Sequence, residues 1–257
     1  MFDSTSLDTS RLERFVAALM DMGEAMVTSG GEVSRTEDTL SRLAAAYGAV
    51  RADVFAINSV ITASFEFPGA REFTLVRRIT VGESTDMTRL EQLNQLSRSF
   101  TADPREPEEL CGKVREILSK KPRRLKTFVG SMLAAAAFTL FFGGSLADAA
   151  ATLFFAALVW LMSEHLAPVC PNRITFNFLA ALISGLLIGL LAAVFPVFSR
   201  DNIAIGTIML LIPGLALTNA LRNILVGDTI SGSTRCIEAI LWAGSIAGGF
   251  ILAMLVV

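Results

Sequence analysis

Charge all but leaves this chain after Lys126. The 257 residues carry 22 Lys+Arg and 24 Asp+Glu, yet beyond that point the only cations are Arg173, Arg200, Arg222 and Arg235, and the only carboxylates Asp148, Glu164, Asp201, Asp228 and Glu238. A soluble domain has a polar surface to fill, whereas a bilayer removes that requirement because hydrocarbon solvates apolar side chains. The chain therefore reads as a membrane protein, mainly α, with a soluble α+β domain over 1–121 and a transmembrane domain over 122–257. Met1 to Arg11 is polar and the apolar residues after it are interrupted by charge, so no cleavable signal peptide is expected. The first domain is then expected in the cytosol.

Apolar runs predict five transmembrane helices, at 127–142, 146–162, 174–194, 203–221 and 237–257. The first two are at the short end of the roughly 17–25 residues a spanning helix needs, and Gly143-Gly144 supplies the turn between them. Orientation follows from Lys120, Lys121, Arg123, Arg124 and Lys126, a basic cluster placed just before the first span. Under the positive-inside rule it faces the cytosol, Arg173, Arg222 and Arg235 fall on the same side, and the C-terminus at Val257 is expected outside. The same cluster suits anionic lipid headgroups. No nucleic-acid partner is expected, because the first domain is charge-balanced and shows no interleaving of aromatic and basic residues. The GxxxG patterns Gly185 to Gly189 and Gly244 to Gly248 allow close helix approach within the bundle, against a partner, or in a homo-oligomer.

The soluble domain begins with two amphipathic helices. One repeats Leu12, Phe15, Val16, Leu19, Met22 and Met26; the other carries Val33, Leu40, Leu43, Ala44 and Tyr47, with Ser29-Gly30-Gly31 between them. Strands follow at 54–57 and 60–67, separated by an Asn58-Ser59 turn, and Pro68-Gly69 leads to a partner strand around Phe73 and Leu75. Thr85-Asp86 caps a third helix, and Asp103-Pro104 precedes a fourth.

The segment from Leu210 to Arg235 is the leading candidate site. Pro213-Gly214 breaks an apolar run and leaves peptide groups that water, a neighbouring helix or a ligand must satisfy. Broken helices of this sort line transporter sites. Polar residues then follow closely: Asn219, Arg222, Asn223, Asp228, Thr229, Ser231 and Arg235. Asn219, Arg222 and Asn223 can share one helix face, and a guanidinium such as Arg222 grips a carboxylate through a two-pronged fork. Arg222 is equally readable as an orientation charge. Gly227 and Gly232 suggest a bent connection or an ordinary loop. Asp148 is the candidate for proton or ion coupling, since charge within a bilayer costs about 2.5–3.5 kcal/mol and needs a purpose; capping the second span with Ser145 is the alternative.

Ser29-Gly30-Gly31-Glu32-Val33-Ser34-Arg35-Thr36-Glu37-Asp38-Thr39, Ile212-Pro213-Gly214-Leu215 with Thr218-Asn219-Ala220-Leu221-Arg222, and Gly227-Asp228-Thr229-Ile230-Ser231-Gly232 together resemble the threonine/serine exporter family. Similarity covers nearly the whole chain. It resembles the split, YjjP-type form, in which the subunit works with a smaller, separately encoded YjjB-like membrane subunit in the bacterial inner membrane. The resemblance implies a secondary exporter of threonine and serine or of succinate. Glu32, Arg35 and Glu37 then read as a docking surface for the membrane half, against the plainer reading of a charged helix face.

Other classes fit poorly. The sole histidine, His165, lies beyond the soluble domain, which excludes a Ser-His-Asp hydrolase there. No GxxxxGK[ST] phosphate loop is present, so direct ATP-driven pumping has no engine. Cys111, Cys170 and Cys236 lack metal-ligand spacing. No enzyme activity, cofactor or metal is expected, and the competing function is a membrane-anchored regulatory or scaffolding subunit without its own transport path.

Overall fold

The computed structural model describes residues 8–69, 71–80, 86–120 and 124–257. Lys121, Arg123 and Thr85, named above, lie outside the described residues. Contacts divide the chain into two compact units, one of residues 1–122 with 219–235 and the other of 123–218 with 236–257.

In the first unit α1 (Thr9–Thr28) and α2 (Val33–Ala46) precede an antiparallel sheet of β1 (Arg51–Ile57), β2 (Val60–Phe67) and β3 (Arg71–Arg78), ordered β1-β2-β3. Ile57 pairs with Val60, so Asn58-Ser59 is a two-residue hairpin turn, and Phe67 pairs with Arg71. Alternation along β2 buries Ile61, Ala63, Phe65 and Phe67 against the apolar stripe of α1, while α2 packs on β1. Phe15 is central, its ring 4.5 Å from that of Tyr47 and 6.5 Å from that of Phe67. Each such side chain contributes about 1.5–3 kcal/mol on burial. Asp86 Oδ1 accepts from Arg89 N and starts α3 (Met87–Ala102); Pro107, whose missing N–H costs nothing in a first turn, starts α4 (Pro107–Ser119). Arg11 of α1 grips Glu108 of α4 through two 2.7 Å bonds.

The second unit contains α5 (Arg124–Phe141), α6 (Leu146–His165), α7 (Arg173–Val194) and α8 (Arg200–Ile208), with the greater part of α10 (Thr229–Val256). Gly143, at φ +92°, turns α5 into α6. α8 lies against α5, α6 and α7, and Gly206 permits it: a methyl group there would stand 2.8 Å from the Ala135 carbonyl and 3.0 Å from Thr152. α7 meets α10 in the same way, with Gly185 against Ala253 and Phe250, and Gly249 against the backbone of Phe178.

Four described helices, α5, α6, α7 and α10, are long and apolar enough to cross a membrane. The fifth expected span, 203–221, is not one helix. It divides into α8 and α9 (Gly214–Val226), with Pro213 in the gap. At about 1.5 Å per residue, nine-residue α8 reaches slightly less than half of a hydrocarbon core of about 30 Å. Apolar composition had favoured a span, and the proline and the glycines decided otherwise. Among the described residues there are thus four continuous candidate spans and two shorter helices, α8 and α9, where a single fifth helix was expected.

Candidate functional site at the corner of two helices

α9 ends in a left-handed glycine cap. Gly227, at φ +98°, donates to the Ile224 carbonyl and Asp228 N to that of Asn223, which satisfies the last turn. Asp228 then caps α10, its Oδ1 accepting from Ser231 N at 3.3 Å. Gly232 lies inside α10, where a side chain would strike Ile224 and the Ala220 carbonyl within 3 Å. The expected bent connection over Gly227 to Gly232 is therefore a tight corner followed at once by helix.

The corner is docked within the first unit. Gly30, at φ +89°, ends α1 with the same cap, Gly31 N bonding to the Met26 carbonyl, and a side chain at Gly31 would fall 2.6 Å from that oxygen. The cap leaves the carbonyls of Gly30 and Gly31 as acceptors. Asn219 Nδ2 donates to Gly30 O at 3.3 Å, and the Arg235 guanidinium, 1% exposed, reaches Gly31 O with both terminal nitrogens at 3.5 Å. Arg222 Nη1 pairs with Glu32 Oε1 at 2.7 Å. From the β1–β2 turn, Asn58 Nδ2 donates to the Ser231 carbonyl at 3.2 Å. Glu37 Oε1 accepts from Ala56 N at 2.7 Å. Burial pushes the Glu37 carboxyl above its ordinary range, the Ala56 N–H pulls it back, and the charge of Asp228 pushes it up further.

A cavity of about 190 Å³ opens beside these bonds, lined by Met26, Glu32, Arg35, Leu90, Asn94 and Asn219 among others. It is smaller than the roughly 300–1,000 Å³ of drug-sized sites, which suits a metabolite of few heavy atoms. Glu32 is already neutralised by Arg222, while Arg35, exposed, forms no ion pair among the described residues. The cavity thus offers a free guanidinium, two amides and an apolar wall. Among the described residues no group of three or more His, Cys, Asp or Glu is placed to hold a metal.

Asn219, Arg222, Asn223, Asp228 and Ser231 thus share one compact unit with Glu32, Arg35 and Glu37. Pro213 and Gly214 belong to the other unit. So does Asp148, whose oxygens are occupied: Oδ2 accepts from Ser145 N and Oγ at 2.8 and 2.9 Å, and Oδ1 from Ser199 N at 2.7 Å. It completes a capping box and ties the α5–α6 turn to the start of α8. Sequence reasoning passes over Asn58 and Asn94: Asn58 has a sufficient explanation as a turn residue and Asn94 carries no local signal, whereas Arg235 stands within the candidate segment and reads there also as an orientation charge.

The family model ThrE, described as "Putative threonine/serine exporter", matches residues 17–257. No curated protein and no solved structure matches the chain.

Proposed function

We infer, because this chain belongs to the threonine/serine exporter family, that it is an exporter subunit whose small, carboxylate-bearing cargo engages the first unit beside α9. Family membership makes it a multi-pass membrane transport protein and not an enzyme. Cargo, orientation and partnership are the proposal: threonine and serine or succinate, taken up on the cytosolic side of a bacterial inner membrane, with the N-terminus inside, the C-terminus outside and a YjjB-like subunit as partner.

One observation carries the site. Arg35, Glu32 and Asn219, from two stretches that are remote in sequence, line a single small cavity. Arg35 replaces Arg222 as the candidate grip on a carboxylate, because Arg222 is spent on Glu32. Asn223, Asp228 and Ser231 hold the corner that presents Asn219, and Pro213-Gly214 marks where α9 begins.

Proteoliposomes containing the chain and its partner subunit, loaded with labelled threonine, serine or succinate, test the reading. Arg35→Ala and Asn219→Ala are each expected to cut efflux at least tenfold with normal membrane insertion. Wild-type efflux from both variants would remove the site, and no efflux of any of the three from the wild-type pair would favour a scaffolding subunit.

A further inference from the structure

We propose that the buried face of α7 carrying Asn177 and Ser184, with Arg200 at its far end, is the path by which a small carboxylate crosses the second unit. Its cargo rests on the export reading, but its first test uses none.

The buried hydroxyls of the second unit follow one habit, from which Ser184 departs. Thr139, Thr152 and Thr207 each donate one turn back, to the carbonyls of Ala135, Asp148 and Ile203, at 3.1, 2.8 and 2.8 Å. That bond is open to a serine or threonine inside any helix. Ser184, 0% exposed, forms none among the described residues, and its Oγ is left without a partner. Asn177, 2% exposed, leaves Nδ2 in the same condition. Seven residues make close to two full turns, so the two side chains stand on one face, about 10 Å apart along the axis. Ala180 and Ala181, both fully buried, flank the line between them, and neither side chain is large enough to obstruct it.

A third polar atom of this kind lies at the other end of the helix. Arg200 Nη2 is buried without a partner among the described residues, and the guanidinium carbon stands 3.8 Å from where a side chain on Gly189 would begin. Gly189 is about 7.5 Å beyond Ser184 along the axis.

Lipid offers such groups no partner, and polar residues within spanning segments face the bundle interior or an aqueous cavity and mark substrate pathways. The chemistry of the three selects the passenger. Amide, hydroxyl and guanidinium all donate, and the carboxylates of the unit are engaged or directed elsewhere. Asp148 is spent on Ser145 and Ser199, Glu164 pairs with Arg124 at 3.1 Å, and Asp201 and Glu238 are exposed. A row of donors that ends in a guanidinium and faces no carboxylate suits an anion and rejects a cation. In the closed arrangement the bonds are withheld; the path opens when α7 moves against its neighbours and water and cargo reach this face.

Cysteine accessibility tests the path without cargo. In the full chain with Cys111, Cys170 and Cys236 replaced by serine, Asn177→Cys, Ser184→Cys and Leu190→Cys are treated in open membrane fragments with a sulfonate-bearing methanethiosulfonate, which reacts with thiolates that water reaches. Leu190, exposed on the outer side of the same helix, is the lipid-facing control. Positions 177 and 184 are expected to be labelled at least tenfold faster than 190. Efflux from proteoliposomes containing the chain and its partner subunit is the second readout. Asn177→Leu and Ser184→Ala are expected to cut it at least fivefold while keeping or raising the midpoint of thermal unfolding, since each deletes an unpartnered polar group. Side chains with a merely structural role would lower the midpoint instead. If a cysteine variant does not fold, Ser184→Ala, which removes a single oxygen, decides through efflux. Labelling at 177 and 184 no faster than at 190, or wild-type efflux from both Asn177→Leu and Ser184→Ala, would overturn the path. Fast labelling with no efflux of threonine, serine or succinate by the wild type would keep the path and remove the cargo of the export reading.

Discussion

In the first unit the least exposed side chains are large, among them Phe15, Phe65, Phe67, Phe100, Met20 and Met22. In the second, where helices close on one another, small residues are prominent, Ala135, Ala180, Ala181, Ser184, Gly185, Gly189 and Gly206, beside the larger Ile188 and Ile203. The contrast reflects solvent. Water rewards removal of apolar area, so a soluble core grows from bulky residues on amphipathic faces. Lipid tails are as apolar as leucine and offer no such reward; helices there associate through close backbone approach, which small residues permit. One chain thus follows two rules: the second unit keeps a core of its own around Phe155, Ile188 and Ile203, and also presents many large apolar residues outward, as with Phe154 at 65% and Leu190 at 55% exposure.

Arg235 breaks the contrast from the charged side. It is the largest of the fully buried side chains and a cation within the first unit. Arg235→Ala removes a long stem together with the fork that reaches Gly31 O. The expected cost is about 2–5 kcal/mol, the range for large-to-small changes in a core, read as a drop in unfolding midpoint or loss of folded protein. Arg235→Lys should recover little, because a point charge does not reproduce a planar fork. A variant as stable as the wild type would show that the buried guanidinium holds nothing.

The glycines sharpen the contrast from the apolar side. A methyl group on Gly249 would lie 2.5 Å from the Phe178 carbonyl and 2.9 Å from Ala181, whereas one on Gly244 meets nothing within 4 Å. Gly249→Ala should cost about 1–3 kcal/mol through overpacking. Gly244→Ala should be neutral or stabilise slightly, since alanine is the better helix former by up to about 1 kcal/mol. Thermal unfolding of both in detergent separates them, and equal midpoints would mean that α7 and α10 are not locked at this crossing.

That pair also shows how far the sequence could be read. Gly185 to Gly189 was legible as a close-packing stripe and packs against α10, but in Gly244 to Gly248 the periodicity pointed one residue away from Gly249, which makes the tight contact. The amphipathic stripe of α1 and the alternation of β2 were plain, because water imposes both patterns. The break at Pro213-Gly214 was legible too, but not that it would end α8 at Ile208 and leave 203–221 without a continuous helix. At the candidate site the polar residues could be named in advance, and their partners could not. Arg222 with Glu32, and Asn58 with Ser231, join stretches that only the fold brings together, and Asn58 already had a sufficient local explanation as a turn.

The smallest effect belongs to the surface of the first unit. Arg11 holds Glu108 by a two-pronged fork and reaches Glu106 as well. Those bonds lower the Glu108 carboxyl from its ordinary 4.5 to about 2. A depressed carboxylate contributes stability above the ordinary value and loses it as pH falls towards the folded value. Both side chains are about a third or more exposed, so solvent and salt screen the pair and its contribution stays small. Glu108→Gln should therefore lower the unfolding midpoint slightly at neutral pH, and the difference from wild type should close as pH falls towards about 2. The difference should also shrink in high salt. A gap that persisted in acid and in salt would assign the role of Glu108 to packing between α1 and α4, and would bring this surface under the rule of close contact that governs the second unit.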